Sequence, residues 1–364
     1  MEINQADHNM AIKDEPEQSG IVYYDAKDST LFGLYGIDDK KEKGYPRFNA
    51  KERELISKAS KDVEFLSYHS AGIQLKFETD SSQIYFRATN QNPSNMDNLS
   101  NIAQSGIALY SFDEKENRYF LQGVTRFSPK ASSYNVPMLN FPQGHRKNRK
   151  YVAYLPSYMG VVSLEVGLEK GAKVKPVGFA HPQRIGIYGT SITQGCATSQ
   201  PGENYTNMIS RSLDLEVLNF GFSGSAMMEP ETATILSQRN LDLLLIDAEP
   251  NAGMDWKLKE RLEPFLDIYF EKCPKTPVIL ASRTYLGMDF YEQEDVIERR
   301  EFYRGFLKKE CEKYAEKGYR ISFIDGLKIV PIDKAEFSID GLHPDSYALA
   351  LIAEAYIKKI KEYL

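Results

Sequence analysis

The sequence predicts a chain of two parts, an antiparallel β-sandwich or jelly roll followed by an α/β domain built on a parallel sheet. Three observations predict it. At 364 residues the chain exceeds a typical single domain and suggests about two. Its first half runs in short alternating stretches separated by Asn, Ser, Gly and Pro clusters, with weak helical periodicity. Its second half alternates near-continuous apolar stretches with amphipathic ones, the pattern of strands covered on both faces by helices.

Taken in order, residues 1–20 are polar and acidic and are expected to be loosely ordered. They hold no basic segment followed by an apolar one, so they do not read as a secretory signal. A helical pattern covers 50–58. In "GIQLKF" Ile73, Leu75 and Phe77 share one face, and "SQIYFRAT", "GIALYSF", "RYFLQGV", "KYVAYLP" and "VVSLEVGL" read as further strands. "EKGAKVKPVGFAHPQ" reads as a linker. Beyond it, strands are expected at 185–188, 216–220, 241–247, 277–282 and 321–325, and helices at 204–213, 231–239, 257–271, 296–317 and 346–363. In the last helix Leu349, Ile352, Tyr356, Ile360 and Tyr363 recur at spacings of three and four. The chain thus divides into 1–20, a β-rich domain at 21–178 and an α/β domain at 179–364.

Composition excludes several functions. A formal charge of −6 leaves no broad basic field for nucleic acid or an anionic membrane surface. No apolar run approaches the roughly 18 residues of a membrane span. The three cysteines, Cys196, Cys273 and Cys311, are odd in number and lack metal-binding spacing. They favour a reducing compartment, so a cytoplasmic location is expected; Cys196 reads as a packing residue. No P-loop, dinucleotide fingerprint or EF-hand is present, and neither metal nor organic cofactor is expected. The many Tyr and Phe residues (23 and 19) suit β-rich packing, with stacking on sugars as a second use.

In an open parallel sheet, sites form beyond the carboxyl ends of the strands. The first strand of the second domain ends in "GTSIT", where Ser191 is either a nucleophile or a helix cap. A serine nucleophile needs a base. Of five histidines, His8 lies in the polar tail, His69 within a strand pair, His145 in the basic loop "GHRKNRK" and His181 in the linker. His343, in "SIDGLHPDSY", follows the last strand. Asp340, three residues earlier, can reach one ring nitrogen and leave the other for Ser191, with Pro344 opening the final helix. An oxyanion needs preorganised donors. Gly224 in "NFGFSGSA" can present a backbone N–H, and Asn251 in "AEPN" a side-chain amide. Arg283, Tyr285 and Glu249 are candidate substrate contacts. Glu229 and Glu203 read as acids at helix starts, and "HRKNRK" as a solvated loop or an anion site.

Ser191, Gly224, Asn251 and His343 occur in the order and spacing of an SGNH hydrolase, and residues 183–364 resemble that superfamily, which includes GDSL esterases and lipases. The resemblance implies a flavodoxin-like, three-layer α/β/α fold. It also implies a Ser191–His343–Asp340 triad, with the Ser191 and Gly224 N–H groups and the Asn251 side chain forming the oxyanion hole. Thr190 stands where the GDS pattern has Asp, and Glu249-Pro250-Asn251-Ala252 replaces the usual Gly-x-Asn-Asp. "GIALY", residues 106–110, resembles the Gly-x-Asp-Leu-Tyr element of a β-rich domain preceding some SGNH esterases, with Ala108 in place of its Asp. The resemblance implies hydrolysis of a small acyl ester, an O-acetyl group on a carbohydrate foremost, with the β domain as a sugar-binding module or a lid. The alternatives are a lipase, lysophospholipase or thioesterase with the same triad, and a carbohydrate-binding protein with a silent hydrolase domain. The partner is then an oligosaccharide or other small ester, and a homo-oligomer is compatible with the sequence.

Overall fold

A computed structural model of the chain describes residues 3–141, 146–290 and 294–364. His145 lies outside the described residues. The first half carries ten strands: β1 (Ile21–Asp25), β2 (Gly33–Tyr35), β3 (Gln74–Thr79), β4 (Gln83–Asn90), β5 (Ala108–Asp113), β6 (Arg118–Val124), β7 (Ser133–Asn140), β8 (Arg149–Tyr154), β9 (Val161–Glu169) and β10 (Val174–Pro176). One antiparallel sheet has the order β1-β9-β4-β7. The other has the order β10-β3-β8-β5-β6, with β2 also paired to β3. Alternate residues of both sheets, among them Leu75, Phe77, Tyr151, Phe86, Val136 and Val166, meet in one apolar core. The stretch expected to be a linker contributes β10, because its backbone at Val174–Pro176 completes the edge beside β3.

The polar start of the chain is also placed. Lys13 and Glu15 donate backbone N–H groups to the carbonyls of Arg126 and Asn135, and Asn135 N–H donates to Asp14. The segment thus gains partners for its backbone at Arg126 and on β7, which composition does not reveal.

The second half holds a parallel sheet of β11 (Arg184–Gly189), β12 (Glu216–Gly221), β13 (Leu243–Asp247), β14 (Val278–Ala281) and β15 (Ile321–Ile324), in the order β12-β11-β13-β14-β15. Ile185, Ile187, Leu243 and Leu245 face the helices Tyr205–Leu213 and Ser346–Ile360. Tyr188, Leu244 and Ile246 face the helices Pro230–Ser237, Lys257–Lys272 and Glu294–Glu316. Both strand faces are therefore apolar and covered, a three-layer α/β/α arrangement. Among the described residues no helix is long and apolar enough to cross a membrane.

The halves are interlocked. Phe48, just before the helix Ala50–Ile56, Ile56 within it, and Val63 and Leu66 of the helix after it pack in the core of the second domain beside Phe220 and Phe222. Burying each such side chain stabilises the fold by roughly 1.5–3 kcal/mol. On β3, Leu75 and Phe77 face the sandwich core, while Gln74 donates to Ser210 and Lys76 pairs with Asp214 at 2.7 Å across the junction. Tyr110 of "GIALY" accepts a hydrogen bond from Gln200 at 2.6 Å and lies against Gly202, where a Cβ would stand 2.4 Å from the ring.

Candidate active site

The site lies at the carboxyl ends of β11, β12 and β13. Strand β11 ends at Gly189, and Thr190 is the extended residue that caps the next helical turn, Ser191–Gln194. Thr190 Oγ1 accepts from the Ile192 N–H at 3.3 Å, so the cap is the threonine and Ser191 is the first helical residue. This gives Thr190 its role where the GDS pattern carries Asp. Gly195 ends the turn at φ 114°, in the left-handed region.

Ser191 is 8% exposed. Its Oγ lies 3.0 Å from His343 Nε2, and His343 Nδ1 lies 2.7 Å from Asp340 Oδ2. Asp340 Oδ1 accepts from the N–H groups of Leu342 (3.0 Å) and His343 (2.8 Å). Partial burial opposes ionisation of Asp340, but the hydrogen bonds from the ring and the two backbone groups outweigh it and bring the carboxyl down to about 2. An ionised Asp340 only accepts, so Nδ1 carries the proton and Nε2 accepts from Ser191. The loop is tied by Ser338, whose Oγ donates to the His343 carbonyl and accepts from the Gly341 N–H. Pro344 does not open the final helix. It pairs with Ser338 in a short bridge, and Asp345 caps the helix through the Tyr347 and Ala348 N–H groups, because a side-chain acceptor satisfies donors that proline cannot.

Gly224 follows β12, with φ 68°, exposed, and with nothing within 4 Å of where a Cβ would stand. Asn251 sits on the single turn Glu249–Ala252 after β13. Its Oδ1 accepts from the Ala226 N–H at 3.3 Å, which orients the amide and leaves Nδ2 without an acceptor among the described residues. Arg283 and Glu249 are buried, and their charged ends are engaged within the protein rather than free for a substrate. Arg283 makes two 2.7 Å bonds to Asp289, and Glu249 accepts the Arg283 N–H at 2.8 Å. Burial demands such partners, and it pushes the Glu249 carboxyl up to about 7. Tyr285 is half-buried against Phe290, under the Arg300 guanidinium. Glu229 stands at the N-cap of Pro230–Ser237 without capping it, and Glu203 accepts from Ser199 and Ser346. Among the described residues no group of three or more His, Cys, Asp or Glu side chains is placed to hold a metal ion.

The amino-terminal half contributes residues that local patterning did not reveal. Asn98 Nδ2 reaches Asp340 Oδ2 at 3.4 Å, and the Tyr158 hydroxyl donates to the Ser191 carbonyl. His69 is not in a strand. It follows the helix Lys61–Leu66, is buried, and lies 3.0 Å from the amide nitrogen of Gln194. The burial of His69 and Tyr158 comes from the domain junction, for which the sequence carries no local signal.

Comparison with known proteins assigns both halves of the chain to families. Residues 182–361 match the GDSL-like Lipase/Acylhydrolase family, and residues 21–174 match the GxDLY domain, the N-terminus of SGNH-hydrolase-type esterases. The carboxy-terminal domain is a GDSL-like lipase/acylhydrolase domain. The chain is thus an ester-hydrolysing enzyme with a GxDLY-type domain before its catalytic one. A search of curated proteins found no match. Among solved structures, a protein from Bacteroides ovatus classed as a GDSL-like lipase is 24% identical, with a TM-score of 0.84 over 94% of this chain and 98% of that one. The salicylyl-acyltransferase SsfX3 of a tetracycline biosynthetic pathway is 17% identical, with a TM-score of 0.73 over 95% and 98%. A family two carbohydrate esterase from Cellvibrio japonicus is 12% identical, with a TM-score of 0.58 over 94% and 98%. At these identities the likeness is one of fold, and it spans both domains.

Proposed function

We propose that this GDSL-like enzyme removes a small acyl group, acetyl foremost, from a carbohydrate alcohol through an acyl-enzyme on Ser191. The observation that carries the reading is the hydrogen-bonded sequence Ser191 Oγ–His343 Nε2 (3.0 Å) and His343 Nδ1–Asp340 Oδ2 (2.7 Å) at the strand ends. Ser191 Oγ attacks the ester carbonyl carbon while His343 Nε2 takes its proton. The oxyanion is held by the N–H groups of Ser191 and Gly224 and by Asn251 Nδ2. The alcohol leaves with the proton from His343. Water then attacks the acyl-enzyme, giving up a proton to His343, and the free acid departs as Ser191 is restored. Asp340 keeps the ring in the required tautomer and offsets the imidazolium charge.

The carbohydrate part of the reading is supported by the likeness in fold, β domain included, to the Cellvibrio japonicus carbohydrate esterase. A second reading, transfer of the acyl group to an alcohol acceptor, is favoured by the likeness to the salicylyl-acyltransferase. Both use the same acyl-enzyme, and the ratio of new ester to free acid in the presence of added alcohol separates them. The test of the main reading measures turnover of p-nitrophenyl acetate, longer-chain esters and acetylated oligosaccharides, with fluorophosphonate labelling of wild type and Ser191→Ala. Acetate-selective turnover and labelling, both lost in Ser191→Ala, are expected. A preference for long chains favours a lipase or thioesterase instead, and a wild type without turnover or labelling overturns the enzyme mechanism.

A further inference from the structure

Behind the nucleophile turn, buried side chains from the amino-terminal half meet the end of β12. Gln194, the last residue of the turn Ser191–Gln194, is fully buried, and its amide is saturated. Its Oε1 accepts the Ser223 N–H at 3.0 Å, and its Nε2 faces His69 Nδ1 at 3.0 Å and the Ser157 carbonyl at 3.1 Å. A flipped amide would set donor against donor at Ser223 and acceptor against acceptor at Ser157, so the orientation is determined. His69 must then accept at Nδ1 and be neutral. Burial, with the nearby Arg47 charge, holds its imidazolium down to about 3.

Arg47 braces the same strand end. Its guanidinium is buried, and it donates to the carbonyls of His69 (3.0 Å), Leu66 (2.6 Å), Asn219 (3.3 Å) and Gly221. Among the described residues it has no carboxylate in ion-pair contact, and it lies 4.7 Å from the centre of the Phe222 ring. Gly221 leaves no room between strand and turn, since a Cβ there would lie 2.1 Å from the Gln194 nitrogen.

We infer that His69 and Gln194 are positioning residues for the oxyanion loop: they hold the Ser223 N–H, and with it the Ser223–Gly224 peptide, at a set distance from Ser191. The amino-terminal domain is through them a working part of the site. The inference rests on the reading of Gly224 as an oxyanion donor. A displaced donor weakens the transition state more than substrate binding, so the loss falls on kcat.

The experiment uses the full chain and p-nitrophenyl acetate, with rates expressed per protein shown to be folded by circular dichroism and thermal unfolding, so that misfolded protein does not count. Gln194→Met and His69→Leu are expected to lower kcat by about ten- to a hundredfold with KM within about threefold, less than the loss of a whole oxyanion donor. His69→Asn, whose Oδ1 can stand where Nδ1 stood, is expected to recover kcat to within about fivefold of wild type. Wild-type kcat in both Gln194→Met and His69→Leu, or a His69→Asn variant as slow as His69→Leu, overturns the inference. If Gln194→Met does not fold, the two His69 variants carry the test. Ser191→Ala and Asn251→Ala run alongside: if they stay active the reading of the site itself falls, whereas if they fail and Gln194→Met and His69→Leu are both normal only the positioning role falls.

Discussion

The Tyr158 hydroxyl donates to the Ser191 carbonyl oxygen at 3.2 Å, so a side chain of the β-rich half holds the backbone of the candidate nucleophile from behind. The same carbonyl accepts the Gly195 and Cys196 N–H groups at 3.0 and 2.9 Å. Tyr158→Phe therefore leaves the acceptor satisfied. It is expected to cost about 0.5–1.5 kcal/mol in urea unfolding and to leave kcat within about threefold of wild type. A hundredfold fall in kcat would show that the hydroxyl acts on more than the backbone.

Asp340→Asn keeps the size of the side chain and removes its charge, and is expected to lower kcat by on the order of 10²–10⁴. Its effect on stability has a defined sign. The folded carboxyl lies at about 2 against an ordinary value of 3.8, so its contribution is present above about pH 4 and is lost as pH falls toward 2. Thermal unfolding between pH 5 and pH 2 should fall more steeply for wild type than for Asp340→Asn.

Asn251→Ala removes the Nδ2 donor while leaving the Ser191–His343 contact in place. The expected loss is about 10²–10³ in kcat with KM nearly unchanged, read from initial rates on p-nitrophenyl acetate. An equal loss carried by KM would make Asn251 a ground-state contact.

Thr190 is fully buried and caps the nucleophile turn. Thr190→Val is expected to lower stability by about 1 kcal/mol through loss of the cap, and Thr190→Ser to retain it. Chemical denaturation of the three proteins decides the matter, and equal stability of all three would remove the cap from the account.

Asp247, at the end of β13, is buried and accepts from the Tyr356 hydroxyl at 3.0 Å. Burial raises its carboxyl to about 6 despite that bond. A raised carboxylate favours the protonated fold, so its stabilising effect is present below pH 3.8 and is lost as pH rises through about 6. Glu249, raised to about 7, acts in the same direction. Asp247→Asn should flatten the fall in melting temperature between pH 4 and pH 6, with the remaining slope removed by adding Glu249→Gln. An unchanged slope in the double variant would show that other groups set it.

Much was legible because its causes are local. Alternation at Ile73, Leu75 and Phe77, and the three- and four-residue spacing from Leu349 to Ile360, reflect which residues share a face of one element. The candidate residues are legible because strand ends carry sites, and Ser191, Gly224, Asn251 and His343 fall just past strand ends or in the loop before the last helix. Arg283 and Glu249 carry suitable chemistry in suitable places, yet burial turned their charges toward protein partners. The place of His69 is not legible in the sequence, because a helix and a turn of that length leave little periodic signal.

The sequence by itself determined the order of the elements, the change from antiparallel to parallel architecture and the residues that could carry chemistry. Tertiary structure alone decided that Ser191 and His343, 152 residues apart, stand 3.0 Å from each other. It also buried Gln74 and Lys76 beneath the second domain and set Arg47, His69 and Tyr158 behind the nucleophile turn. The physical reason is that periodicity and turn chemistry act over a few residues, whereas burial and long-range hydrogen bonds depend on which surfaces meet.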